Sequence, residues 1–470
     1  MPVALALVAL ALAILAALPA PASAREPTAA VALGDSFIAG QGGRWQGNSV
    51  DLLGSRGGTD RACRAILLGC RYDIGSVYLG GSAPPGCARS DVAEILSAEI
   101  AVSERINLAC SGATTSAIIR GAHGGRAFKG EPPQADQLAG IARERTVKLV
   151  VLSIGANDIG FGEIVRTCVF AYLDRTGPCR NGQRSAIDAR LTAALAGVEQ
   201  ALLEIRAVMR AAGYRPWHYR LVLQSYPSPI PRAAENRYPE AGLQRSAAGG
   251  CPFYDTDSDF AREEIVGLLD SRLEAISTAT GAQFLSLRDA FQGREVCART
   301  ARQARGSGGP SPRTSEWVRA VGAGPAIQGG TTAESAHPNA YGQRALGRCL
   351  TLLYARRTSS WSCRNTPGEG PEGMFLTRVS TIPSRFTMSL KVRPRRTVAR
   401  RRTCFRFRLR SAGRPVERAT VRLAGRRVRT DGRGRAGKCL RLRARRHRVG
   451  ARRAGFRAVS TIVTVRRRRR

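Results

Sequence analysis

The stretch VALGDSFIAGQGG, residues 31–43, decides how the rest of the chain is read. A short apolar run closes abruptly on Gly34-Asp35-Ser36, and Gly40, Gly42 and Gly43 follow. A polar turn would account for this composition. So would a nucleophilic hydroxyl presented at the carboxyl end of a buried strand, with glycines keeping the neighbouring backbone unobstructed. The two readings part only when the rest of the sequence supplies, or fails to supply, the partners a nucleophile needs.

Working outward, short apolar runs recur at AAVAL (29–33), RINLA (105–109), VKLVVLSIG (147–155), YRLVLQSYP (219–227) and AQFLSL (282–287). Runs without alternation suit parallel strands covered on both faces. Helical patterns separate them at 90–100, 185–213, 258–281 and 339–357, the first capped by Ser90 and the middle two closed by glycine. Strand and helix in alternation predict the α/β class: a flavodoxin-like three-layer α/β/α sandwich around a parallel five-stranded sheet. In such sheets the ligand sits beyond the carboxyl ends of the strands, where Ser36 falls. Two long loops, 42–87 and 299–332, interrupt the order and are expected to rim the cleft.

The pattern changes near residue 361. SCRNTPGEGPEG (362–373) is rich in Pro and Gly and is expected to form a linker over 361–384. Beyond it, CFRFRLRS (404–411) alternates strictly, with Phe405, Phe407 and Leu409 on one face and Arg406, Arg408 and Arg410 on the other. With the turn signal TDGRG (430–434), this predicts a small all-β sandwich of Ig-like type over 385–470. Cys404 and Cys439 both fall on its arginine face, so a bridge between them is geometrically consistent. It would stabilise this domain by about 4 kcal/mol in the chain-entropy view.

At the other end, the apolar run Val3–Leu18 and the small residues Ala22-Ser23-Ala24 read as a signal peptide over 1–24, too short for a bilayer span. The twelve cysteines are Cys63, Cys70, Cys87, Cys110, Cys168, Cys179, Cys251, Cys297, Cys349, Cys363, Cys404 and Cys439. They contain no CxxC pair and are accompanied by four histidines. This usage fits an oxidising, extracellular setting and argues against a zinc site. Pairing of consecutive cysteines is expected, although spacing alone does not fix connectivity. The net charge is +39, of which residues 385–470 contribute +31. That end could attract an anionic wall polymer or a membrane surface. It carries no recognisable nucleic-acid reading motif, and export argues against nucleic acid as a partner.

A serine nucleophile needs a base, and His337 in ESAHPNAYG precedes the last helix, a position able to fold back over the strand ends. Glu334 lies three residues earlier, within reach of the imidazole Nδ1 in a turn. An oxyanion needs donors: the Ser36 N–H, the N–H of Gly112 in NLACSGATT after the second strand, and the amide of Asn157 in SIGANDIG after the third. Each motif is weak alone. Their strength is that each falls just after an expected strand or on the final loop. Asp35 and Asp158 are expected to brace these loops.

The blocks ALGDSFIAGQGG, CSGATT, SIGANDIGF and ESAHPNAYG resemble the four conserved blocks of the SGNH (GDSL) hydrolases, in particular secreted actinobacterial esterases and lipases. The resemblance covers about residues 26–360, the expected hydrolase domain. It implies Ser36 as nucleophile, His337 as general base, and Gly112 and Asn157 as oxyanion donors. It further implies bridges Cys87–Cys110, Cys168–Cys179 and Cys251–Cys297; Cys349–Cys363 and Cys63–Cys70 would complete the domain. Family members usually carry Asp where this chain has Glu334, and some relatives orient the histidine with a main-chain carbonyl. The expected activity is hydrolysis of lipid or small acyl esters by a secreted enzyme with no metal or organic cofactor. The competing expectations are a polysaccharide O-acetyl esterase and a wall-binding adhesion protein with a degenerate hydrolase domain.

Overall fold

The computed structural model describes residues 26–50, 56–67, 69–305, 308–322, 332–356, 360–379, 386–411, 414–453, 456–457 and 459–467. The expected signal peptide lies outside them. The chain divides into two compact units between Val379 and Ser380, later than the expected hydrolase limit at residue 360.

The first unit begins with β1 (Thr28–Gly34), α1 (Ser36–Ala39) and a hairpin of β2 (Cys63–Ile66) and β3 (Gly69–Tyr72). Then come α2 (Glu94–Ser97), β4 (Glu104–Asn107), α3 (Gln134–Glu144), β5 (Thr146–Ser153), α4 (Phe161–Leu173) and α5 (Arg180–Ala211). It ends with β6 (Arg220–Gln224), α6 (Gly267–Thr280), β7 (Gln283–Ser286), α7 (Ala340–Tyr354), β8 (Trp361–Asn365) and β9 (Met374–Arg378). The main sheet has the order β4-β1-β5-β6-β7-β8-β9. Every neighbouring pair is parallel except β8 with β9.

Both faces of β1, β5, β6 and β7 are covered, which is why these strands read as nearly unbroken apolar runs. Ala30, Ala32, Leu149 and Val151 feed one core, with Leu346, Leu350 and Leu353 of α7. Their neighbours Val31, Leu33, Val150 and Leu152 feed the other, with Leu138 of α3 and Val198, Leu202 and Ile205 of α5. The three layers follow from this alternation.

Two expectations are corrected here. The sheet has seven strands, because the expected linker supplies β8 and β9. Cys363 of β8 is buried and bridged to Cys349 of α7. Asn365 donates to the carbonyls of Ala290 and Gln292, both at 3.0 Å. Tertiary anchors thus hold in the sheet a segment whose composition favours turns. The helix expected from Ser90 shrinks to the single turn of α2. Here α7 passes so close that a Cβ on Gly347 would lie 2.7 Å from the Ser97 side chain.

The second unit is all-β. Ser389–Arg393, Arg402–Ser411 and Arg435–Arg441 form one antiparallel group. Thr420–Leu423, Arg426–Arg429, Arg446–Arg452 and Val459–Arg466 form another, with Arg396–Val398 parallel at its edge. Phe405, Phe407, Leu409, Val421, Val449 and Val463 are buried in its core. Six disulfides join consecutive cysteines: Cys63–Cys70, Cys87–Cys110, Cys168–Cys179, Cys251–Cys297, Cys349–Cys363 and Cys404–Cys439.

At the end of β1 the sheet parts. The last ladder pairing with β4 is Ala32 with Asn107, and beyond it the Gly34 carbonyl keeps one backbone partner on that side, the Cys110 N–H at 3.0 Å, while its N–H has none there. The buried side chain of Gln134 fills the gap, accepting from the Gly34 N–H at 2.7 Å and adding a second donor to the Gly34 carbonyl at 2.9 Å. Gln134→Ala leaves a buried N–H without a partner, and we expect a loss of about 2 kcal/mol. Urea unfolding of the variant against the parent protein measures it.

Candidate active site

The loops that follow β4, β1 and β5 leave one edge of the sheet because these strands are neighbours. Ser36 is the first residue of α1. Asp35 caps that helix, its carboxylate accepting from the Phe37 N–H at 3.1 Å and from the Tyr226 hydroxyl at 2.5 Å. The Asp35 N–H donates to the Ser153 carbonyl of β5 at 3.1 Å. Burial pushes the Asp35 carboxyl up to about 7, against the pull of its Tyr226 and Phe37 hydrogen bonds. Asp35 thus braces the turn through Phe37 and Tyr226, and the serine hydroxyl has a different partner.

That partner is His337. Its Nε2 lies 2.7 Å from Ser36 Oγ, and its Nδ1 lies 2.9 Å from the Ser335 carbonyl oxygen. A carbonyl only accepts, so Nδ1 carries the proton and Nε2 presents its lone pair to the serine hydroxyl. Burial lowers the imidazole to about 4, only partly opposed by its backbone hydrogen bonds. The ring centroid of Phe37 lies 5.0 Å from that of the imidazole. Ala336, just before the histidine, holds φ at +60°, an uncommon backbone state for alanine. Two backbone hydrogen bonds with Arg319, at 2.9 and 2.8 Å, fix the chain on either side of it.

The serine turn and the histidine segment are also laced together directly. Gln41 donates to the Ala333 carbonyl at 2.7 Å, and Gln343 of α7 donates to the Phe37 carbonyl at 2.7 Å. Gly42 runs against the backbone after His337, where an added Cβ would sit 2.5 Å from the Pro338 oxygen. Only glycine permits that approach.

Glu334 does not orient His337, and this corrects the sequence expectation. Its carboxylate accepts from Trp45 Nε1 at 3.0 Å and from the Tyr78 hydroxyl at 2.6 Å. Two aromatic donors of the 42–87 loop thus turn the side chain toward themselves. The partner at His337 Nδ1 is instead the carbonyl two residues before it. Through this buried clamp the long loop packs on the histidine segment.

The expected oxyanion donors lie on the two neighbouring loops. The backbone N–H groups of Ser36 and Gly112 make no protein hydrogen bond among the described residues. Gly112 has φ +86°, with Phe128 at 3.4 Å from where a Cβ would stand. One amide hydrogen of Asn157 is held by the Ala113 carbonyl at 2.9 Å, which leaves the other available. Asp158 ties these loops, accepting from the Thr115 hydroxyl at 2.6 Å and from the Thr115 N–H. Burial raises its carboxyl above the ordinary value.

Sequence reasoning missed Tyr226, Gln41 and Gln134, and it held a main-chain carbonyl behind His337 only as the alternative the resemblance implied, without assigning it to Ser335. Tyr226 follows β6 at the same sheet edge, a position that could have drawn attention to it. A main-chain carbonyl leaves no trace in residue type. The described residues hold one close set of possible metal ligands, Cys168, Cys179 and Asp257, but its sulfurs are joined to each other. Asp257 instead accepts from the N–H groups of Cys179 and Arg180, both at 3.0 Å. Chemically, a hydroxyl bonded to a buried neutral imidazole, beside unpartnered N–H donors, is equipped for acyl transfer without a metal.

The profile of the GDSL-like lipase/acylhydrolase family matches residues 32–345. Among solved structures the chain is similar to an extracellular lipase from Streptomyces rimosus, with 24% identity over 70% of this chain and 99% of that one, at a TM-score of 0.38. It is also aligned with an endo-β-1,4-mannanase from Thermotoga petrophila, with 10% identity over 78% of this chain and 58% of that one, at a TM-score of 0.17. No curated protein matches significantly.

Because Glu334 binds Trp45 and Tyr78 rather than the imidazole, Glu334→Gln should cost about 1–3 kcal/mol of stability. It should leave the His337 titration near pH 4. Thermal unfolding, together with NMR titration of the imidazole resonance that His337→Asn removes, tests both halves. A His337 titration moved by a full pH unit would contradict the assignment.

Proposed function

The chain belongs to the GDSL-like lipase/acylhydrolase family and is an ester hydrolase, and from that premise we propose that Ser36 and His337 carry the reaction. The 2.7 Å contact between Ser36 Oγ and a neutral His337 Nε2 carries this reading. Ser36 Oγ attacks the acyl carbon of a carboxylic ester while Nε2 takes its proton. The carbonyl oxygen becomes an oxyanion, received by the N–H groups of Ser36 and Gly112 and the free amide hydrogen of Asn157. The tetrahedral adduct collapses, the C–O bond to the alcohol breaks, and His337 gives its proton to the departing oxygen. Water then adds to the acyl-serine with His337 again as base. The adduct expels Ser36 Oγ, which recovers its proton, and the carboxylic acid leaves.

In this scheme the Ser335 carbonyl holds the imidazole tautomer and Asp35 holds the serine turn. Neither exchanges a proton with substrate. We also propose that the enzyme is secreted after removal of residues 1–24. The six disulfides support an oxidising destination.

Labelling with a fluorophosphonate followed by peptide mapping should place the adduct on Ser36. Ser36→Ala should abolish both labelling and p-nitrophenyl ester turnover with the fold retained. Asn157→Ala should lower kcat by about 100- to 1,000-fold. A labelled residue other than Ser36, or turnover surviving in Ser36→Ala, would refute the assignment.

The base works only when neutral, and burial lowers its pKa to about 4. Turnover is therefore lost as pH falls through that value, and not through the ordinary histidine value near 6.5. The acid limb of kcat/KM on a soluble ester should lie near pH 4. A limb at 6.5 would mean that the imidazole is solvated in the working enzyme.

A further inference from the structure

Twelve large apolar side chains stand exposed among the described residues, and five of them, Ile66, Leu67, Tyr72, Ile74 and Leu79, fall within fourteen consecutive positions. Scattered singly, such residues need no explanation; gathered on one loop they mark an interaction surface. Leu67, in the turn of the β2–β3 hairpin, is 98% exposed, and Ile66 beside it is 57% exposed.

The projection is braced. Cys63–Cys70 closes the hairpin. At its base Arg44 is buried in an ion pair with Asp60 at 2.6 Å, and its guanidinium lies 5.8 Å from the Tyr72 ring centre. The Asp73 N–H donates to the Ala62 carbonyl at 2.8 Å. An apolar tip on a stapled support is ordered before it meets a partner.

Charge indicates the partner. Arg64 and Arg71 sit directly opposite each other across the two strands, an arrangement that is unfavourable for like charges. Asp73 offsets Arg64 at 2.9 Å, while Arg71 has no carboxylate partner among the described residues. The pair lies two residues, about 7 Å, behind the Ile66–Gly69 rung. That offset matches the depth at which a half-inserted apolar tip meets phosphates at a lipid surface. The same segment reaches the candidate site: Leu79 follows Tyr78, whose hydroxyl binds Glu334, three residues before His337.

We propose that the exposed side chains of residues 64–67 and 69–79 form a lipid-docking surface. Ile66 and Leu67 enter the acyl layer of a phospholipid–water interface, Arg64 and Arg71 hold phosphates, and Tyr72, Ile74 and Leu79 extend the contact toward the site. The substrates are then esters of lipids presented at that interface. The substrate clause rests on the ester-hydrolase reading above; the docking clause rests on the hairpin alone.

The test uses the full chain with phosphatidylcholine vesicles, whose zero net charge keeps the basic second unit from dominating. In flotation, the double substitution Ile66→Ser with Leu67→Ser should weaken vesicle partitioning by about tenfold. It should slow hydrolysis of an emulsified triglyceride in proportion. Turnover of dissolved p-nitrophenyl acetate should stay within twofold, because neither residue belongs to the catalytic constellation. As a positive readout, Leu67→Trp should gain fluorescence that brominated phosphatidylcholine quenches. Equal flotation of parent and double variant, or no quenching of Leu67→Trp, overturns the docking surface. So does a concentration-dependent dimer that the double variant loses without any flotation of the parent, since a second copy would then cover the tip. Flotation lost in the double variant, with no ester turned over by the parent, leaves the docking surface standing and removes the ester reading.

Discussion

One hydrogen bond of 2.7 Å joins Ser36 to His337 across 301 positions of sequence. Neither end is positioned by its sequence neighbours alone. The serine is placed because β1 ends where α1 begins, with Asp35 and Gln134 satisfying the polar groups that the parting strands expose. The histidine is placed because α7 packs back on the sheet and Gly42 lets two backbones pass at close range. Gln343 joins the two ends through the Phe37 carbonyl. Sheet order, helix packing and loop lacing converge on holding one oxygen beside one nitrogen in a buried setting.

The choice of a carbonyl over a carboxylate behind His337 has electrostatic content. A carboxylate at Nδ1 would favour the charged imidazole and raise its pKa. The Ser335 carbonyl fixes the same tautomer with only a dipole, so burial prevails and the ring stays neutral well into acid. Glu334, released from that duty, holds Trp45 and Tyr78 and makes the long loop part of the histidine's support.

Much of this was legible in sequence, and the failures have physical causes. β1, β5, β6 and β7 showed as apolar runs because both faces of the sheet are covered there, and the edge strand β4 showed more weakly as RINLA. Ser36, Gly112, Asn157 and His337 could be singled out because each follows a strand or precedes the last helix. β8 and β9 were hidden: Pro and Gly flank them, and what holds them is a bridge to α7 and the anchoring amide of Asn365. Glu334 was misread because its proximity in sequence suggested a partner. The groups that actually capture it include Trp45, 289 positions away. The Ser335 carbonyl could not have been found from side-chain identity at all.

The disulfide pattern has a consequence for how the molecule is made. Every bridge joins a cysteine to the next one along, and the separations run from 7 to 46 residues. No pairing needs a thiol that emerges after an intervening one. As the chain emerges from its amino end in an oxidising setting, each pair can therefore close as it arrives. A thiol never has to wait past an unpaired rival, and the correct connectivity is the one that order of appearance already favours.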